Sequence, residues 1–307
     1  MSRVMFTRIG WLFYFIRRKK MISGKTKLTG FFAKPASHSL SPLMHNLAFS
    51  HWGIDAVYLA FEVDQTNLRQ AVESIRTLDM LGVNVSMPNK TAVLAYLDQL
   101  SPEAELIGAV NTIVHQEQRL IGYNTDGMGF VRSVNETGHP IKNQKIVVLG
   151  AGGAAKAIVV QMALEGAQEI TIYKRLNATF LPLKEYFVKV SEKTGCPIRL
   201  HDYADESQLA LDLSQANLLI NATDIGMGSK KDQLPIADVK LLHSQLAVFD
   251  LIYSPSETRL IQEAKKMGIK AYNGLGMLIH QGAIAFELWT HREMPVQNIR
   301  EQLEQEV

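Results

Sequence analysis

Midway along the chain the aliphatic run Ile146-Val147-Val148-Leu149 feeds directly into Gly150-Ala151-Gly152-Gly153-Ala154-Ala155. This reads as a buried strand that breaks into a glycine turn and then a helix, the geometry that holds a dinucleotide pyrophosphate. Gly150 permits the tight turn, Gly152 lets the backbone approach the phosphates, and Ala155 is small enough to pack the helix on the strand. The helix N-terminus offers free N–H groups and a partial positive charge to the anion. A glycine pattern alone is weak. Here an aliphatic strand precedes it and Ala157 to Leu164 continues it as a helix, the context that gives the pattern its meaning. Because the loop falls so late, the long stretch before it must form another unit, which we expect to be a substrate domain.

The next parallel strand is expected at Glu169–Tyr173, and the residues at its end select the nucleotide. They are Lys174, Arg175, Leu176 and Asn177, with no carboxylate before Glu185. Two cations suit a 2′-phosphate better than a bare hydroxyl, so NADP is favoured, with NAD the alternative. The competing reading of these residues is a solvated basic turn.

Composition excludes several classes. A 307-residue chain with 47% hydrophobic and 20% charged residues is long enough for two domains. A net charge of +2 without a long basic stripe gives no indication of a nucleic-acid partner. The one cysteine, Cys196, rules out an internal disulfide, fits a reducing cytoplasm and reads as an apolar filler before a strand. The nine histidines are scattered, so no metal site is expected, and no Gly-x-Ser-x-Gly elbow supports a serine hydrolase. At the N-terminus, Trp11 to Ile16 is too short to span a bilayer, and Arg17 to Lys20 follow it instead of preceding it as in a signal peptide. No membrane partner is expected. We read residues 1–24 as an extension, with Met21 as an alternative start and a weak interfacial anchor as the competing reading.

Strand and helix alternate along the rest. Strands are expected at Lys27–Ala33, Ala56–Val63, Val83–Ser86, Asn111–His115 and Arg119–Tyr123, the last two around a turn at Glu117-Gln118. Helices are expected from Ser41, with Ser41 as cap and Pro42 in the first turn, to about Trp52, from Thr66 to Leu78, and beyond Lys90. After the glycine loop, strands near 198–201, 217–221, 247–252 and 269–272 complete a six-stranded nucleotide sheet. Helices from Met277 to about Thr290 and Val296 to about Gln305 then return to the first unit. The predicted fold is α/β in two domains. Residues 25–127 with about 277–307 form an N-terminal α/β substrate-binding and catalytic domain, and residues 128–276 form a Rossmann-type dinucleotide-binding domain. The ligand cleft is expected between them.

Four polar clusters fall at strand ends or helix starts. Ser39 and Ser41, two apart on a segment read as extended, can both bond a carboxylate, although cap and turn roles compete. Ser86 and Lys90 follow a buried strand, which holds Lys90 near the sheet's carboxyl edge. Asn111 and Asp126 are candidate partners, with Asp126 also able to cap the helix near Gly127. A lysine and an aspartate converging there make a proton-handling pair.

Together these motifs resemble the shikimate dehydrogenase family. The resemblance runs in order through Ser37-His-Ser-Leu-Ser-Pro42, Gly82-Val-Asn-Val-Ser-Met-Pro-Asn-Lys90, Gly108-Ala-Val-Asn-Thr112 and Gly122-Tyr-Asn-Thr-Asp-Gly-Met-Gly129. It continues through Gly150-Ala-Gly-Gly-Ala154, Asn221-Ala-Thr223, Asp250-Leu-Ile-Tyr-Ser-Pro255 and Asn273-Gly-Leu-Gly-Met-Leu-Ile-His-Gln281. It implies reversible, nicotinamide-dependent reduction of 3-dehydroshikimate to shikimate in aromatic amino acid biosynthesis. It also implies roles: Ser39 and Ser41 on the substrate carboxylate, Ser86, Asn111, Tyr253 and Gln281 as further substrate contacts, and Lys90 with Asp126 as the catalytic pair. For the cofactor it implies Gly150, Ala151, Gly152, Gly153 and Ala154 at the pyrophosphate, Lys174, Arg175 and Asn177 at the adenosine end, Thr223 nearby, and Leu251 and Gly274 at the nicotinamide. Three departures stand out. Many members carry Thr where this chain has Ser86, and Ser86-Met-Pro-Asn-Lys90 resembles the subgroup that takes quinate as well as shikimate. That subgroup often uses NAD, with an acidic residue at the position of Asn177. Asp224 stands where the family is often uncharged. An NAD-dependent quinate/shikimate dehydrogenase is therefore the alternative, and a non-catalytic sensor the remote one. A cytoplasmic monomer or homodimer is expected.

Overall fold

The computed structural model describes residues 22–306; the apolar run at Trp11–Ile16 and the alternative start at Met21 lie outside the described residues. Two six-stranded sheets organise the described residues. The first contains β1 (Lys27–Ala33), β2 (Ala56–Glu62), β3 (Gly82–Val85), β4 (Gln99–Leu100), β5 (Thr112–Gln116) and β6 (Arg119–Tyr123), in the order β2-β1-β3-β5-β6-β4. β1 runs parallel to both β2 and β3, whereas β5 is antiparallel to β3 and β6. The β5–β6 turn falls at Glu117 and Gln118, both at positive φ (49° and 65°), the twist that a two-residue hairpin needs. Helices α1 (Ser41–Trp52), α2 (Leu68–Thr77) and α3 (Pro102–Ile107) fill the connections.

The second sheet contains β7 (Lys145–Leu149), β8 (Glu169–Lys174), β9 (Ile198–Asp202), β10 (Leu218–Asn221), β11 (Ala247–Asp250) and β12 (Lys270–Tyr272). Its strands are all parallel, in the order β12-β11-β10-β7-β8-β9. β7, β10 and β11 are buried throughout apart from Lys145, as expected of parallel strands covered on both faces. Helices α5 (Gly153–Leu164), α6 (Phe180–Thr194), α7 (Glu206–Gln215) and α8 (Arg259–Lys266) supply that cover. Strand order reverses between β7 and β10, so a crevice opens at their carboxyl ends, where such sheets bind ligands.

The last two helices, α9 (Leu275–Thr290) and α10 (Val296–Leu303), return to the first sheet. Ile279, Phe286 and Trp289 of α9 share a core with Met44, Phe49 and Tyr58, and Trp289 Nε1 donates to the Ile113 carbonyl at 3.0 Å. Between the sheets runs α4 (Asp126–Glu136), packed against both α5 and α9. Two glycines make that packing close. A Cβ on Gly127 would stand 2.5 Å from the Ala157 carbonyl of α5, and one on Gly129 would stand 2.5 Å from the Gln281 nitrogen of α9.

Several local expectations differ from the structure. Ser41 does not cap α1: Leu40 is the cap residue, and Ser41 opens the helix with its own N–H donated to Ser39 Oγ at 3.2 Å. Residues 36–39 form a turn, closed by Ser39 N–H to the Ala36 carbonyl, instead of an extended segment. Beyond Lys90 the chain makes only a short 3-10 turn at Ala92–Tyr96, because it must straighten almost at once for β4 to pair with β6. Asp126 is likewise the first residue of α4 and not its cap, which falls at Thr125. α9 begins at Leu275, two residues earlier than expected, with Asn273 Oδ1 accepting from the Leu275 N–H.

One polar side chain lies wholly within the apolar layer under α9. His45 is fully buried, stacked on Tyr58 with ring centroids 4.5 Å apart, and flanked by Phe286 and Trp289. Burial pushes its pKa down from 6.5 to about 3, with a smaller opposing contribution from Asn84. The unfolded chain therefore takes up the proton first, so stability falls as pH drops from about 6.5 toward 3. For this group the slope approaches roughly 1.4 kcal/mol per pH unit. His45→Phe should flatten that slope in urea-unfolding curves recorded between about pH 7 and pH 4.

Candidate active site

Two cavities meet the crevice between the sheets. The first, about 360 Å³, takes Ser39 and Ser41 from the start of α1, Asn84 and Ser86 from the end of β3, and Lys90 from the loop beyond. Asn111 precedes β5, Asp126 opens α4, and Gln281 projects from α9. Ala154 at the start of α5, Leu251 and Tyr253 beyond β11, and Gly274 complete the opposite wall. Residues separated by most of the chain thus converge because strand ends of both sheets and the N-termini of three helices point to one place.

Lys90 and Asp126 are the charged centre of this cavity. Lys90 Nζ lies 2.6 Å from Asp126 Oδ2, with side chains 24% and 10% exposed, so the pair is partly shielded but open to the cleft. Asp126 Oδ1 accepts from Asn111 Nδ2 at 2.8 Å, and Gln281 Oε1 stands 3.5 Å from the same amide. The carboxylate is held from two sides, and it in turn holds the ammonium. On the opposite wall, Asp250 at the end of β11 is buried and accepts from Thr258 Oγ1 (2.8 Å), Asn221 Nδ2 (3.0 Å) and the Ile252 N–H (3.1 Å). Burial pushes its carboxyl pKa up, while these donors pull it back. The network fixes the ends of β10 and β11, from which Leu251 and Tyr253 reach the cleft.

The second cavity, about 580 Å³, adjoins the glycine loop. It is lined by Gly150, Ala151 and Gly152, by Lys174, Arg175 and Asn177 after β8, and by Thr223. Gly150 sits at φ +97°, where a side chain is strained, and a Cβ there would lie 2.8 Å from the Ala222 carbonyl. Gly153 lines neither cavity; it is the first residue of α5. Asn177 Oδ1 accepts from Lys174 Nζ (2.8 Å), Thr179 N–H (3.0 Å) and Thr179 Oγ1 (2.8 Å), so this side chain shapes the loop and steadies Lys174. The Thr223 hydroxyl is tied back to Asn221 Oδ1 at 2.7 Å.

Residues outside the sequence-based set also line these cavities. Asn84 stands two residues before Ser86, on the same side of β3, a period-two signal that was legible. Lys230 ends a 3-10 turn (Gly228–Lys230) and Thr179 precedes α6; both line the second cavity from segments too short to carry a periodic signal. Asp224 pairs with Lys230 at 2.6 Å on the rim of the same cavity, which accounts for a carboxylate beside two cations.

Residues 31–113 match the family described as shikimate dehydrogenase substrate binding domain, and residues 274–304 match the shikimate 5'-dehydrogenase C-terminal domain. The chain is 45% identical over 280 residues to shikimate dehydrogenase (NADP(+)) of Listeria monocytogenes serotype 4b, covering 91% of this chain and 96% of that one. Among solved structures, shikimate 5-dehydrogenase from Listeria monocytogenes in complex with shikimate and NAD superposes with a TM-score of 0.90 at 45% identity, covering 92% of this chain and 98% of that one. The Thermus thermophilus enzyme in complex with NADP(H) and shikimate gives 0.78 at 33% identity, covering 92% and 100%.

The loop geometry separates fold from binding. Gly152 has an extended backbone, and a Cβ added there meets nothing within 4 Å, because it would project into open space at the second cavity. Gly152→Val should therefore leave the thermal midpoint within about 2 °C of wild type, since surface changes away from packing cost little. The same change should weaken dinucleotide binding at least about tenfold by occupying space that the phosphates need. Differential scanning fluorimetry with and without the nucleotide reads both.

Proposed function

We infer the chemistry of the cleft from one premise: the chain belongs to the shikimate dehydrogenase family. It is an oxidoreductase acting on a CH–OH group, and it catalyses the reversible NADP-dependent reduction of 3-dehydroshikimate to shikimate in aromatic amino acid biosynthesis. The observation that carries the mechanism is the contact between Lys90 and Asp126, facing a cavity lined on one side by hydroxyls and amides and on the other by the end of the dinucleotide sheet.

The residues fit both ligands. Ser39 and Ser41 place two hydroxyls at one end of the first cavity, suited to a ring carboxylate. Ser86, Asn111, Tyr253 and Gln281 offer donors and acceptors to ring hydroxyls. The helix start at α5, the open space over Gly152 and the cations Lys174 and Arg175 suit a dinucleotide with a 2′-phosphate. When bound, the reduced cofactor NADPH would supply the hydride, and Leu251 and Gly274, which line the first cavity, would hold its nicotinamide. Hydride arrival at the C3 carbonyl develops negative charge on the ketone oxygen. The Lys90 ammonium lies where it can stabilise that charge and donate the proton. Asp126 keeps Lys90 oriented, and in the oxidative direction Lys90 Nζ, entering as the neutral amine, accepts the proton from the C3 hydroxyl.

On this reading residues 25–127 with about 277–307 form the substrate-binding and catalytic domain, and 128–276 the NADP domain. The setting we propose is cytoplasmic, as a monomer or homodimer. Cys196, buried and unpaired with its thiol pushed up to about 11 by burial, is consistent with reducing conditions. No helix among the described residues is long and apolar enough to cross a membrane.

Lys90→Ala should lower kcat by roughly 10²–10⁴-fold, because the charge acts chiefly in the transition state, with a much smaller change in the KM for shikimate. A pure KM effect in steady-state assays would make Lys90 a binding residue instead. Wild type compared on shikimate and quinate, each with NADP and with NAD, should show its highest kcat/KM on shikimate with NADP. Comparable turnover of quinate would move the chain to the quinate/shikimate reading. In the same assays Lys174→Ala/Arg175→Ala should lose at least about tenfold more on NADP than on NAD. Equal losses would show that these cations read no phosphate.

A further inference from the structure

Behind the cleft wall a series of hydrogen-bonded polar groups runs up to the Lys90–Asp126 pair, and three of its members, Tyr58, Asn84 and Thr112, have no part in the chemistry above. It begins at Tyr58 on β2, whose side chain is fully buried. Tyr58 Oη donates to Asn84 Oδ1 at 2.8 Å, and Asn84 Nδ2 donates to Thr112 Oγ1 at 2.9 Å and to the Asn111 main-chain carbonyl at 3.2 Å. Thr112 Oγ1 donates to Asn111 Oδ1 at 3.0 Å, and Asn111 Nδ2 reaches Asp126 Oδ1 at 2.8 Å. Asp126 Oδ2 then holds Lys90.

The direction of every bond is fixed by the backbone. The Asn111 main-chain carbonyl can only accept, so Asn84 must turn its amide nitrogen there and its oxygen toward Tyr58. Tyr58 must then donate. At the other end the Thr125 N–H can only donate, and it lies 2.8 Å from Asn111 Oδ1. Asn111 must therefore present its oxygen to Thr125 and its nitrogen to Asp126. The Thr112 hydroxyl bridges the two amides, accepting from one and donating to the other. A buried series with each group in its one compatible role holds its members more firmly than isolated pairs do.

We propose that Tyr58 and Thr112 are positioning residues for the reaction. They hold the amides of Asn84 and Asn111 in the orientation that gives Asp126 Oδ1 a donor and leaves Asp126 Oδ2 to Lys90. Neither lines the cleft, so each acts through other groups. Without the Thr112 hydroxyl, Asn111 Oδ1 loses one donor and Asn84 one acceptor. Asn111 Oδ1 then keeps only the Thr125 N–H and hydroxyl, and the amide is held less firmly against Asp126.

The proposal rests on the reading of Lys90 and Asp126 as the proton-handling pair, and the test separates the two. Thr112→Val removes the hydroxyl at nearly constant volume, while Thr112→Ser keeps it. The expected result for Thr112→Val is a kcat lowered about tenfold or more, the order of loss that misplacing a catalytic group causes. The KM for NADP should stay within about twofold of wild type. Thr112→Ser should return kcat to within about twofold of wild type, and Thr112→Val should add little in a Lys90→Ala background because both act on one unit. Equal losses in the Val and Ser variants would reduce Thr112 to packing and overturn the proposal. Wild-type kcat in a folded Thr112→Val with an inactive Lys90→Ala would overturn it while leaving the pair intact. An active Lys90→Ala would sink the pair itself. If Thr112→Val fails to fold, Tyr58→Phe carries the same expectations for kcat and for the KM of NADP, and its retention of wild-type kcat would overturn the proposal.

Discussion

The contact between Lys90 and Asp126 sits where the chain leaves one sheet for the other. Lys90 follows the last strand residue of β3, and Asp126 opens the helix that crosses toward β7. A partly buried ion pair gives little net stability, because taking two charges from water offsets most of their attraction. Its value here is geometric. It requires β3, β5 and α4 to end within a few ångströms of one point, and the amide of Asn111 has to meet the same carboxylate from the far side. Once these ends are set, the positions of Ser86 and Gln281 follow from the strands and helices that carry them.

The opposite wall obeys a complementary rule. Where the first sheet brings charge and hydroxyls to the cleft, the second brings backbone and small apolar groups: the glycine loop, Ala154, Leu251 and Gly274. The Asp250 network holds these without exposing its own charge, since that carboxylate is turned inward to Thr258, Asn221 and the Ile252 N–H. A hydride donor laid against such a wall meets few competing polar groups. Lys174, Arg175 and Lys230 line the second cavity, at the far side of the glycine loop.

Much of this was legible in the sequence because it is local or periodic. β1 falls at Lys27–Ala33 as expected, the hairpin turns at Glu117-Gln118, and the glycine loop joins β7 to α5. What resisted reading depends on contacts between distant segments. A two-residue strand such as β4 has no period of its own and exists only because β6 lies beside it. Ser41 has the residue type of a cap, but Leu40 takes that position once the Ala36–Ser39 turn sets the entry of the chain. The link from Tyr58 to Asn84 joins β2 to β3, which are separated by β1 in the sheet, and no sequence spacing announces that pairing. Lys230 reaches its cavity from a loop closed by backbone hydrogen bonds, as Gly226 N–H to the Lys230 carbonyl illustrates.

The two glycines of α4 bear on how wide the molecule can open. Gly127 touches α5, which covers the second sheet, and Gly129 touches α9, which packs on the first, each with no room for a single carbon. The helix between the sheets is therefore a spacer of minimum thickness. The gap between a hydride donor on one side and a ring carbon on the other is gauged by the absence of two methyl groups, some distance from either reacting atom. A change at this joint can detune the reaction while every residue that touches a ligand stays the same.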